Sequence, residues 1–128
     1  MSYRLYWQPR GLVRHFSGEV TAAEMLAAVN AAAADPRFDD LRYIVDDYLD
    51  CTGNVANAVE MEEVLAIENA ARSFNRRLRI AIIADQPDVA RLMDCYIHGL
   101  PEKIPHKLFS TRDAAMAWLN SPAWPSPE

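Results

Sequence analysis

The chain has 128 residues, a formal net charge of −5, 51% hydrophobic residues and 24% charged ones, which is enough apolar material for the core of one domain. The acidic balance argues against a nucleic-acid or anionic-membrane partner, and no segment approaches the roughly 20 apolar residues of a membrane span. Cys51 and Cys95 make neither a disulfide framework nor a zinc pattern, and MSYRLYW has no signal-peptide core, so the expected location is the cytoplasm.

In chain order, Tyr3, Leu5 and Trp7 alternate with Arg4 and Tyr6, the period of a strand. Pro9-Arg10-Gly11 supplies turn chemistry, and Leu12 to Phe16 returns as a second strand ended by Gly18. Thr21 and Glu24 fit a capping box for a helix whose stripe is Met25, Leu26, Val29, Ala32 and Ala33, stopped by Asp35-Pro36. Phe38 packs under the loop that follows. Leu41 to Leu49 reads as a strand with Asp46 and Asp47 at its carboxyl edge, and Asp50 to Asn54 has the composition of a loop.

A long helix is expected from about Asn57 to Phe74, with Val64, Ile67, Ala71 and Phe74 on its buried face. Its acidic start and basic end suit the helix dipole. Leu78 to Asp85 (LRIAIIAD) reads as a strand buried on both faces, the kind found in parallel sheets covered by helices. Asp85 caps a third helix with the stripe Val89, Leu92, Met93, Tyr96 and Ile97, terminated by Gly99 and Pro101. A short strand over 104–109 and a last helix capped by Thr111, with Ala115, Trp118 and Leu119 inward, complete the pattern. The expected fold is α/β, a mainly parallel five-stranded sheet in the order β-β-α-β-α-β-α-β-α with an N-terminal antiparallel hairpin. One domain over 1–121 and a proline-rich tail over 122–128 are expected.

This order resembles the SpoIIAA-like (STAS-type) superfamily of anti-sigma-factor antagonists, in particular uncharacterised bacterial SpoIIAA-like proteins. The residues that carry the resemblance are DPRFDDLRYIVDD (35–47), RIAIIAD (79–85) and KLFSTRDAAMAWL (107–119). It implies a non-catalytic regulatory or protein-interaction module with no cofactor, acting through the strand-to-helix segment 46–54. In that family a serine of an Asp-Ser-Ser-Gly loop is phosphorylated. Asp50-Cys51-Thr52-Gly53 occupies the similar place here, so the implied regulatory residues are Asp46, Asp47, Asp50, Cys51, Thr52 and Gly53, with Thr52 as phosphoacceptor. This chain has Cys and Thr where the family has two serines, and its loop is longer. The bland reading is a turn that merely leads into the next helix.

Two other functions are admitted by the residues. Tyr6, Trp7, Tyr48 and Trp124 are amphipathic aromatics that could line a groove for a small apolar or lipid-like ligand, a role the resemblance also permits. Asp46, Asp47 and Asp85 could share a strand-end edge and serve a metal-dependent hydrolase, although solvated strand-end acids are the simpler account and no metal-ligand spacing is present. Cys51 near a helix start could carry a lowered pKa. No nucleophile elbow or phosphate-binding glycine loop occurs. A homodimer is expected from the exposed edge strands such a sheet leaves.

Overall fold

The computed structural model describes residues 2–73, 75, 77–99 and 105–121. Strands β1 (Ser2–Gln8) and β2 (Gly11–Val20) form the hairpin. Helix α1 (Ala22–Ala34) and a 3-10 turn (Pro36–Asp40) lead to β3 (Tyr43–Asn54). Then come α2 (Ala58–Arg72), β4 (Arg79–Ile83), α3 (Pro87–His98), β5 (His106–Phe109) and α4 (Arg112–Leu119). The sheet order is β1-β2-β3-β4-β5, antiparallel only between β1 and β2. β4 lies between β3 and β5 with its side chains buried on both faces, as its unbroken apolar run predicts.

The two faces are covered unequally. On one, Leu12, Phe16, Ile44, Tyr48, Ile80 and Ile82 pack beneath α1, α2 and α3. On the other, Val45, Ala81 and Ile83 meet Ala115 of α4, with Trp118 and Leu119 packed alongside. Because α4 is short, β1 and β2 keep an uncovered flank, and Tyr6 there is 48% exposed.

Local chemistry sets most of the boundaries. The Thr21 side chain accepts from Glu24 N, and Thr111 does the same for Ala114 N. Asn57 and Glu60 form a full reciprocal capping box at the start of α2. Gly11 is fixed by packing: a Cβ there would lie 2.0 Å from the Tyr43 ring. Phe38 is buried, within the 3-10 turn.

Four sequence expectations are corrected. Gly18 does not end β2; it takes a φ of 81° at a register shift, and pairing with β3 resumes through Val20. Asp50 to Asn54 is therefore strand rather than loop, since Ser17 to Val20 supplies its partner. Gln86, not Asp85, caps α3 by accepting from Val89 N. In α2, Ile67 is exposed and the buried stripe runs Met61, Val64 and Glu68, with Leu65 half-buried beside it. A paired glutamate fills a position that periodicity assigns to an apolar residue. Phe74, Pro101 and the tail 122–128 lie outside the described residues.

Candidate functional site

β3 carries all six of the residues expected at the site, and the pleat divides them. Asp46 and Asp47 are buried, on opposite faces. Asp46 receives the Arg14 guanidinium on both oxygens, Nε–Oδ1 at 2.5 Å and Nη2–Oδ2 at 2.8 Å. The same Nη2 reaches Glu68 Oε1 of α2 at 3.2 Å. Burial opposes the Arg14 charge, but Asp46 and Glu68 outweigh it and hold the guanidinium protonated. Beside this cluster Tyr48 stacks on Phe16 at 4.5 Å between ring centroids, and burial together with the Asp46 charge pushes its hydroxyl pKa up. These groups tie β2, β3 and α2 together inside the core. They are not open to a ligand.

On the other face Asp47 accepts from Arg112 of α4 at 2.8 Å and from Leu49 N at 3.0 Å. Asp50 lies at the surface, its Oδ2 2.6 Å from His15 Nε2. Cys51 turns back into the core. Its thiol is pushed up to about 11 by burial and by the charges of Asp47, Asp50 and Glu24, the opposite of the lowered value a helix start could have given it. Asp46 and Asp47 cannot converge on one ion, and no cluster of three His, Cys, Asp or Glu side chains forms a metal site among the described residues.

Thr52 and Gly53 remain accessible. Thr52 is exposed, and a Cβ added at Gly53 would meet nothing within 4 Å. Past them Asn54 Oδ1 accepts from Ala56 N, and the bend presents Val55 (57% exposed) and Val59 (76% exposed). Asn54 also lines a groove of about 510 Å³ between α2 and α3, with Leu65, Leu92 and Tyr96 along it. Sequence reasoning missed this apolar rim.

The aromatic groove expected from Tyr6, Trp7, Tyr48 and Trp124 is not assembled. Tyr6 and Trp7, adjacent on β1, face opposite sides of the sheet, Tyr48 is buried, and Trp124 lies outside the described residues. Tyr6 instead borders a groove of about 390 Å³ beside α4, floored by Val13, Val45 and Ile83 and rimmed by His15, Asp47 and Arg112. No helix is long and apolar enough to cross a membrane among the described residues.

No family model matches the sequence, and no curated protein matches it. Among solved structures the chain is similar to an anti-sigma factor antagonist from Mycobacterium paratuberculosis, with a TM-score of 0.63, 20% identity and 94% of each chain covered. It is also similar to the anti-sigma factor antagonist SpoIIAA in its unphosphorylated form, with a TM-score of 0.56, 11% identity, and 92% of this chain and 97% of that one covered. Sequence identity this low with near-complete coverage is a likeness of architecture. With its antiparallel hairpin followed by parallel crossovers, the chain has the SpoIIAA-like (STAS-type) fold of the anti-sigma-factor antagonists.

Proposed function

We propose that the protein is a non-catalytic regulatory module that docks a protein partner through the end of β3 and the start of α2, with Thr52 as a phosphorylatable switch. The observation that carries this reading is the exposed Thr52 followed along the chain by the exposed valines Val55 and Val59, on the fold of an anti-sigma factor antagonist. The buried centre of an interface is more apolar and poorer in charged residues than the surface around it. A phosphate would bring roughly −1.5 to −2 charges into that centre, and a partner surface shaped for valines would lose its fit. Asp50 is drawn towards His15, which leaves the threonine hydroxyl approachable despite the acidic strand end. The test is incubation of the full chain with host cell extract and ATP, followed by mass mapping. Phosphate on Thr52, lost in Thr52→Ala, supports the switch; unmodified Thr52 under every growth condition defeats it.

A second reading is the carrier of a small apolar or lipid-like ligand, favoured by the apolar floor of the groove beside α4. Native mass spectrometry of freshly purified protein separates the two: a retained ligand lost in Met116→Asp, a change at an exposed residue on the groove wall, supports the carrier, and consistently empty protein opposes it.

A further inference from the structure

The opposite edge of the sheet, where the parallel strands begin, carries a second constellation. The β1–β2 turn and the approach to β3 enclose a crevice of about 440 Å³, walled by Trp7, Pro9, Arg10, Arg37, Asp40 and Arg42. The two flanking segments are joined there, because Arg42 N donates to Arg10 O at 2.8 Å. Arg37 lies over the Trp7 ring, 4.2 Å from its centroid, and is neutralised by Asp35 through contacts of 2.8 and 3.0 Å. Arg10 and Arg42 form no ion pair among the described residues. Two arginines without an ion pair among the described residues therefore line one concave site with a single acid, Asp40, on its wall.

The backbone adds an independent sign. Arg10 has a φ of 60°, the only positive φ of a non-glycine residue among the described residues. Following a proline, whose φ is fixed negative, it holds the turn position at which glycine is favoured. Glycine follows at 11 but is not used there. A cationic side chain at a strained backbone position argues for a task performed by that side chain.

We infer that this crevice binds a phosphate group, with Arg10 and Arg42 as its charge-assisted donors and the Trp7–Arg37 stack as its rigid wall. Such a site lies at the far end of the strands from Thr52 and does not depend on the docking reading.

The test is an NMR titration of the full chain with inorganic phosphate and, separately, phenyl phosphate, at constant ionic strength against chloride. Saturable shifts confined to residues 7–11 and 37–42 are expected, with affinity weakened about tenfold or more in Arg10→Gly and in Arg42→Gln. Arg10→Gly should also melt at a higher temperature than the parent, because glycine accepts a positive φ, so its lost binding cannot reflect misfolding. Tighter binding of phenyl phosphate identifies a phosphomonoester as the ligand; equal binding identifies free phosphate. Shifts that fail to saturate, that chloride reproduces, or that both variants retain at parental affinity overturn the inference.

Discussion

Asp46 and Asp47 are consecutive in sequence and separated by the sheet: each is matched to an arginine from a different element, Arg14 of β2 on the three-helix face and Arg112 of α4 on the other. The two pairs differ in burial, and their energetics should differ accordingly. The side chains of Arg14 and Glu68 are only 4% and 3% exposed. Removing Arg14 strands two carboxylates in the core, so Arg14→Ala should cost roughly 3–5 kcal/mol in urea unfolding. The triple change Arg14→Met, Asp46→Leu and Glu68→Leu should recover most of that loss, because the ions repay their own desolvation only in part. A cost of Arg14→Ala within experimental error would show that the cluster is not a structural element.

The second pair is weaker. Arg112 is 60% exposed, so its attraction to Asp47 is screened by solvent. A double-mutant cycle on Asp47→Ala and Arg112→Ala should give a coupling of about 1 kcal/mol or less. Asp47→Ala alone should cost more than Arg112→Ala, since it also removes the acceptor for Leu49 N. Equal single-mutant costs would contradict this.

Gly11 is required by a side chain rather than by its own backbone angle. A methyl group there would collide with the Tyr43 ring, whose hydroxyl donates to Gln8 Oε1 at 2.5 Å. Gly11→Ala should destabilise by about 1–3 kcal/mol, the usual range for overpacking. Tyr43→Ala should remove most of that penalty in the double variant. Additive costs in thermal melts would place the strain elsewhere.

The parts of this fold legible in the sequence are those where one element alone sets the outcome. The apolar run of β4, the caps at Thr21 and Thr111 and the inward face of α4 each need only local pattern, and each is found. The corrected parts depend on partners distant in sequence. Asp50 to Asn54 has turn composition, yet it is held as strand by Ser17 to Val20 across a register shift that no composition reveals. Glu68 is buried because Arg14, 54 residues away, meets it. At the candidate site one rule decides two placements: neighbours on a strand cannot share a face. That rule alone separates Asp46 from Asp47, and Tyr6 from Trp7. The accessibility of Thr52 and the exposure of Val55 and Val59 required the structure, since both depend on where β3 stops.

The cysteines should report the same geometry chemically. Cys51 is buried with a thiol pKa raised to about 11, whereas Cys95 is exposed. At pH 8 a thiol reagent should label Cys95 quickly and Cys51 only on unfolding. The pH consequence has a definite sign. The folded thiol ionises at about 11 against an ordinary 9.0, so its contribution to stability is complete below 9.0 and is lost as pH rises towards 11. Cys51→Ala should flatten that alkaline limb of the stability curve. Rapid labelling of both thiols in native protein would contradict the placement.

Arg79 links the first residue of β4 to the far end of the last helix. Its Nη1 donates to the carbonyls of Trp118 at 3.2 Å and Leu119 at 2.9 Å, and both terminal nitrogens approach Ser121 O at 3.4 Å. These carbonyls belong to the end of α4, where main-chain acceptors lack helical partners and a cation opposes the negative pole. Only eight residues long, α4 depends on its contacts to persist. Arg79→Met keeps the aliphatic stem and removes the donors. It should speed amide exchange across 115–121 while leaving β4 and the three-helix face protected, at a global cost of about 1–2 kcal/mol. Exchange that rises equally in α1 and α4 would mean that Arg79 supports the whole domain rather than this helix end.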